Sequence, residues 1–183
     1  VLQTFGFGYL RILGLRRCSI VGKPDRRARL AVSNHITWMD TTLLAGLHYA
    51  QLAAKERLIW PLNRMSKLWH YINFDRSTPQ ARAAAAEAIA QRVKDTSKPP
   101  LLVYPEGTVT NGQSLLRFKL GVFSTNAPVQ PITISYNSPD CDVSWTFGCT
   151  NWLWRVLAQP YFDVRVEFLP IQCPEGRSAE AFA

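Results

Sequence analysis

No uncharged run in this 183-residue sequence approaches the roughly 17 to 25 residues that a helix needs to cross a bilayer. The four cysteines, Cys18, Cys141, Cys149 and Cys173, show no paired metal-ligand spacing. A zinc site is therefore not expected, and scattered thiols of this kind fit a cytosol-facing protein. No G-x-S-x-G nucleophile elbow occurs. No cleavable leader is recognisable in the sequence, because no clean apolar stretch separates a basic start from a small-residue cleavage site. Neither an internal repeat nor a low-complexity tract nor a linker divides the chain, so one domain over residues 1–183 is expected. It starts at Val1 and stops at Ala183, where a helix reads as beginning. We therefore expect a piece of a longer protein.

What is present describes a folded chain. Hydrophobic residues make up 47% and charged residues 19%, a balance that excludes disorder. The twelve prolines and six tryptophans argue against a simple helical bundle. A net charge of +8 with a pI near 9.6 favours an anionic partner: nucleic acid, an acidic lipid surface or a phosphorylated substrate. The basic residues crowd the first thirty positions (Arg11, Arg16, Arg17, Lys23, Arg26, Arg27, Arg29) against the lone acid Asp25. Beside them runs an apolar, aromatic stretch with Phe5, Phe7, Tyr9, Leu10, Ile12 and Leu13. An apolar helix flanked by arginines suits a membrane interface. A buried helix followed by a solvated basic loop explains it equally well. Residues 1–27 are expected as the membrane-interface segment and 28–183 as the core.

Strands and helices alternate through the middle. Leu30 to Ser33 reads as a buried strand and Asp40 to Ala50 as a helix. Thr78-Pro79 supplies an N-cap hydroxyl and a first-turn proline for the alanine-rich helix Gln80 to Lys94. Leu101 to Tyr104, Val129 to Tyr136 and Val143 to Phe147 read as strands, and Asp163 to Phe168 alternates with period two. The class is α/β, with a mixed, largely parallel sheet flanked by helices. Two polar clusters follow predicted strand ends, the edge where ligands bind in open α/β sheets.

The first cluster is Ser33-Asn34-His35-Ile36-Thr37-Trp38-Met39-Asp40. A histidine can take a proton from a hydroxyl when a carboxylate holds its ring. A spacing of five separates two side chains around an ideal helix. His35 and Asp40 meet only if His35 lies in the strand-to-helix turn and Asp40 in the first helical turn. The second cluster, Tyr104-Pro105-Glu106-Gly107-Thr108 through Gly112, presents amides and hydroxyls able to hold a phosphate or a glycerol. In the third, Phe74-Asp75-Arg76, Arg76 can bind a phosphate through two contacts. Each match alone is weak, since a loop histidine, a surface turn or a salt-bridging arginine explains it as well.

Their order is specific. A strand into N-H-x-x-x-x-D, then F-D-R, then P-E-G-T, then P-V-x-P-I at Pro128 to Ile132 resembles the glycerolipid acyltransferase family over roughly residues 28–136. With Leu116-Arg117-Phe118-Lys119-Leu120-Gly121 and Val166-Glu167-Phe168-Leu169-Pro170, it is most similar to the branch of lysophosphatidylcholine and lysophosphatidylethanolamine acyltransferases. The resemblance implies an acyl-CoA-dependent O-acyltransferase esterifying a lysophospholipid hydroxyl. His35 would be the general base and Asp40 its orienting partner. Arg76, Glu106, Gly107 and Thr108 would hold the acceptor's glycerol-phosphate part. A thioester is already activated, so no covalent acyl-enzyme and no cofactor is required; acyl-CoA is a co-substrate and no metal is expected. The implied setting is a membrane, at the cytosolic face of the endoplasmic reticulum or a related one.

Two departures stand out. Many family members carry arginine after E-G-T, where this chain has Val109, and many have glycine ahead of F-D-R, where it reads Trp69-His70-Tyr71. His48 and His70 read as structural. A non-catalytic membrane or lipid-droplet scaffold keeping the same fold is the alternative, and the intact His35, Asp40 and Glu106-Gly107-Thr108 weigh against it. A nucleic-acid module would want basic residues interleaved with aromatics. Here the excess adjoins apolar sequence, so no nucleic-acid partner is expected.

Overall fold

The computed structural model describes residues 2–25, 27–48, 51–55, 72–74 and 78–183. Seven strands form one sheet: β1 (Leu15–Val21), β2 (Leu30–Ser33), β3 (Gln51–Lys55), β4 (Ile72–Phe74), β5 (Leu101–Val103), β6 (Val129–Asn137) and β7 (Phe162–Phe168). Their order is β1-β7-β6-β2-β5-β3-β4. Every neighbouring pair is parallel except β6 with β7. The expected mixed, largely parallel α/β class is what the chain adopts.

The central strands read as unbroken apolar runs because helices cover both faces. All residues of β2 and β5 are buried. On one face lie α1 (Leu2–Ile12), α2 (Met39–His48) and α4 (Cys149–Ala158). Leu10, Leu13, Leu43, Leu44, Trp152 and Val156 pack there with Ile132, Ile134, Phe162 and Val164. On the other face α3 (Pro79–Lys94), a 3₁₀ turn (Leu120–Thr125) and α5 (Ala179–Phe182) close the second core. Ile89, Val93, Val122 and Phe123 meet Leu30, Val32, Leu101, Val103 and Val129 there. Thr78 caps α3, its Oγ1 accepting from the Ala81 N–H at 3.1 Å, with Pro79 in the first turn. No helix among the described residues is long and apolar enough to cross a membrane.

The amino-terminal segment divides between helix and sheet. Leu10 and Leu13 enter the core, while Arg11 and Ile12 remain exposed. The arginine-rich stretch that follows is edge strand β1, paired with β7 from Leu15 onward. Arg16 is held there by Asp163, at 2.5 and 3.0 Å, and lies 3.6 Å over the Tyr161 ring. Buried Gln130 fastens the β1–β2 connection: its Oε1 accepts from the Asp25 N–H at 2.9 Å and its Nε2 donates to the Lys23 carbonyl at 3.0 Å.

One expected strand is absent. Val143 to Phe147 contains a 3₁₀ turn, Trp145–Phe147. Asp142 takes both the Ser144 N–H and the Ser144 hydroxyl, each at 2.8 Å, which closes the backbone into a loop. The Trp145 N–H goes to the Ile36 carbonyl at 2.9 Å instead of a strand partner.

Gly22 ends β1 with φ +73°, and a β-carbon there would meet the Phe168 carbonyl. Gly22→Ala combines that clash with a left-handed backbone, so unfolding free energy should fall by at least about 1 kcal/mol. A urea titration of the two proteins would read this directly.

Candidate active site

The carboxyl end of β2 is fixed by the residue that follows it. Asn34 donates from Nδ2 to the Ile134 carbonyl at 2.9 Å and accepts the Ile134 N–H on Oδ1 at 2.8 Å. Its amide thus continues the β2–β6 pairing by one step, and His35 leaves the sheet from a fixed point. His35 lies in the turn and Asp40 in the first turn of α2, the disposition that lets residues five apart meet. Their side chains touch, Nδ1 to Oδ2, at 2.9 Å.

Asp40 is fully buried, and a buried carboxylate is costly unless its oxygens are satisfied. Oδ2 accepts from the Ile36 N–H at 2.7 Å and the Thr37 N–H at 2.9 Å besides meeting His35. Oδ1 accepts the Tyr136 hydroxyl at 2.7 Å. The carboxylate also sits at the amino end of α2, where the helix dipole favours negative charge. Burial, followed by the Asp40 charge, pushes the Tyr136 phenol well above 10. Tyr136 therefore remains a donor throughout the neutral and moderately alkaline range.

A second loop closes on the same histidine. Glu106 is buried; its Oε1 accepts the His35 N–H at 3.3 Å and its Oε2 the Leu116 N–H at 3.1 Å. The Thr110 N–H returns to the His35 carbonyl at 2.8 Å. The Tyr104 ring stacks on the imidazole, centroids 3.9 Å apart at 11°. Both backbone groups and one ring face of His35 are thereby fixed by the β5 loop. With Nδ1 committed to Asp40, Nε2 is left with the lone pair, on a side chain that retains 19% exposure. The pair can accept a proton from a hydroxyl and stabilise the resulting imidazolium.

Gly107 and Thr108 are exposed on the same loop. Gly107 has φ +70°, and a β-carbon there would run into the Lys119 side chain. Lys119 is bound to the loop by its N–H, which donates to the Pro105 carbonyl at 2.9 Å. Among the described residues no carboxylate pairs with it. Next to the loop opens a largely apolar cavity of about 180 Å³, walled by Ala85, Ala86 and Ile89 of α3 and by Val103, Tyr104 and Val122, with Lys119 on its rim.

His35, Asp40, Glu106, Gly107 and Thr108 are thus brought to one sheet edge. The Glu106 carboxylate, expected to face an acceptor, points inward to backbone N–H groups. Arg76 and His70 lie outside the described residues. Tyr104, Tyr136 and the pairing role of Asn34 escaped the sequence reading. The signal for Tyr136 was register: it ends the row Ile132, Ile134, Tyr136 on one face of β6, a hydroxyl closing a buried line.

Tyr136→Phe leaves Asp40 Oδ1 without its donor. The expected cost is about 1–3 kcal/mol of stability, read by denaturant unfolding. The unfolded chain releases its tyrosine protons near 10 while the folded protein keeps that of Tyr136. Native stability should therefore fall as pH rises past this value, and the Tyr136→Phe protein should lack that part of the decline.

Comparison with known proteins gives this geometry a family. The acyltransferase family model matches residues 20–135. Rat lysophosphatidylcholine acyltransferase 1 is 30% identical over 174 residues, 88% of this chain and 32% of that protein. Bovine glycerol-3-phosphate acyltransferase 4 is 31% identical over 173 residues, 88% of this chain and 37% of that one. The chain thus spans about a third of the length of these relatives. The crystal structure of the 1-acyl-sn-glycerophosphate acyltransferase PlsC from Thermotoga maritima shares the fold, with TM-score 0.66 and 22% identity over 99% of this chain and 71% of that one. The chain belongs to the acyltransferase family.

Proposed function

We propose that the chain transfers a fatty acyl group from acyl-CoA to the free hydroxyl of a lysophospholipid, with His35 as general base and Asp40 as its orienting partner. The observation that carries this reading is the 2.9 Å contact of Nδ1 with Asp40, which leaves the opposite imidazole nitrogen as the base. The acceptor hydroxyl gives its proton to Nε2 as its oxygen attacks the thioester carbonyl carbon. Collapse of the tetrahedral adduct breaks the C–S bond, and the departing thiolate takes the proton back from the imidazolium. No acyl-enzyme forms, and no metal or cofactor enters. Base assistance of this kind is worth about two to four orders of magnitude, and the remainder comes from positioning two amphiphiles at one site.

The other parts have places in this scheme. Glu106 acts as a positioning residue, because both its oxygens hold backbone. The exposed backbone of Gly107 and Thr108 faces the acceptor's glycerol-phosphate part. Lys119 supplies the cation for its phosphate from the position that Gly107 leaves open, and Arg76 is a second phosphate contact. The apolar cavity beside Tyr104 suits an alkyl chain. The named relatives act on lysophosphatidylcholine and on glycerol 3-phosphate; we favour a lysophospholipid drawn from a membrane, at its cytosolic face.

Release of CoA thiol from a long-chain acyl-CoA in mixed micelles tests the proposal. Lysophosphatidylcholine, lysophosphatidylethanolamine and lysophosphatidic acid would be supplied separately. We expect acceptor-dependent release that His35→Ala and Asp40→Asn each reduce by about 10²- to 10⁴-fold with the fold retained. Folded protein that releases no thiol with any acceptor would favour the scaffold reading. Lys119→Ala should raise the acceptor KM at least about fivefold with little change in kcat, since a ground-state phosphate contact contributes to binding. Arg76→Ala should act in the same direction.

A further inference from the structure

The sheet places more than the catalytic pair at one edge. β2, β5 and β6 are mutually aligned and end there, while β7, antiparallel to β6, begins there together with its parallel neighbour β1. The end of α1, three residues before β1, is consequently at the same edge. So is α4, which is tied to it at both ends. Ahead of α4, the Trp145 N–H bonds the Ile36 carbonyl at 2.9 Å, next to His35. Beyond α4, Tyr161 packs on Gly14, and the Phe162 N–H bonds the Gly14 carbonyl at 3.0 Å.

α4 is apolar on two sides. Trp152 and Val156 enter the core, whereas Leu153, Trp154 and Leu157 face solvent, Trp154 with 69% of its surface exposed. Ile12, at the end of α1, is 81% exposed. On the other side of His35 the loop fastened by Glu106 carries Leu115, also 69% exposed. Large apolar side chains left in water in this arrangement are a contact surface. Tryptophan and leucine beside arginine and lysine are the residues of a helix or loop resting in a lipid headgroup layer.

We infer that this edge docks on an anionic phospholipid bilayer, with α4 and the Leu115 loop entering the interface astride the His35–Asp40 site. The inference rests on the acyl-transfer reading only in identifying why a lipid surface should meet that edge. Charge supports the occupant. The protein carries a net +8, with Arg117 and Lys119 beside Leu115 and with Arg11 and Arg155 beside the helical patch. Of the acids around these segments, Asp140 and Asp142 are exposed in the loop leading to α4, Asp163 is half-buried at the start of β7, and Glu180 is exposed on α5. Asp142 is bonded to Ser144, Asp163 is neutralised by Arg16, and Glu180 lies 3.8 Å from Arg117. Docked in this way, the open side of the imidazole faces the membrane, and an acceptor can enter without crossing bulk water.

Ile20 provides the internal control. It is 49% exposed but lies toward the far end of β1, away from the site edge. The test is co-sedimentation of the 183-residue chain with phosphatidylcholine vesicles, with and without phosphatidylglycerol. We expect stronger, salt-sensitive partitioning into the anionic vesicles. Leu153→Ser/Trp154→Ser/Leu157→Ser should lower it at least tenfold, Trp154→Ser alone and Leu115→Ser at least threefold, and Ile20→Ser less than twofold. Unchanged partitioning of the edge variants, or an equal loss in Ile20→Ser, would overturn the inference. So would a wild-type dimer that the helix variant dissociates without any vesicle binding, because a second copy would then cover the face. Thiol release from a short-chain, water-soluble thioester and acceptor separates the two proposals. Retained turnover in the helix variant that has lost vesicle binding supports both. Absence of turnover in every form, with the binding differences intact, sinks the acyl-transfer reading and leaves the docking edge standing.

Discussion

A single buried carboxylate sets the terms for the sheet edge that carries the candidate site. Asp40 has no access to solvent, so its oxygens must find their donors within the protein. Those donors come from the preceding turn, from His35 and from the far end of β6. The β6 contribution depends on strand order. β6 lies parallel beside β2 and runs on past the residue opposite Ser33, which lets Tyr136 reach over the helix start. A sheet with another strand next to β2 would leave one Asp40 oxygen without a partner. The acid that orients the histidine is therefore also a constraint on topology.

The same logic explains why the motif blocks are individually weak and collectively specific. Among the described residues, three of the blocks are joined through one another's backbone. Asn34 pairs with Ile134 inside the strand that the P-V-x-P-I segment begins. Glu106 takes the His35 N–H, and Thr110 returns to the His35 carbonyl. A change confined to one block leaves a buried donor or acceptor unmet in another, with a penalty of order 1–3 kcal/mol for each group. Order along the chain carries information because the blocks are structural partners.

Legibility followed burial. β2, β5, β6 and β7 announce themselves through apolar runs or clean alternation, and α3 through its Thr-Pro start and alanines, because packing on the core imposes those patterns. β1 does not. It is an edge strand whose pattern is mostly exposed, and its arginines serve Asp163 and Tyr161 as well as solvent. α4 is obscured by tryptophans on both its buried and its exposed sides. The loop before it resembles a strand in composition, and only the hydrogen bonds of Ser144 and Trp145 decide otherwise. The approach of His35 to Asp40 could be posed from the sequence as a geometric condition. Tyr104 and Tyr136 could not, since their relation to His35 and Asp40 is made by chain segments some seventy to a hundred residues away.

Position 109 in the loop after β5 is a valine, and the cation that lies against this loop is Lys119. Where many family members would place an arginine along the chain, this one has an apolar side chain. The positive charge arrives from across the loop instead. Lys119 is anchored by its own N–H to Pro105 and passes over Gly107, a residue with no β-carbon and a left-handed backbone. Any side chain at position 107 would contest the space that the ammonium occupies. Gly107 is thus tied to Lys119 sterically as well as to the turn conformationally, and the glycine of this block serves the cation as much as the bend.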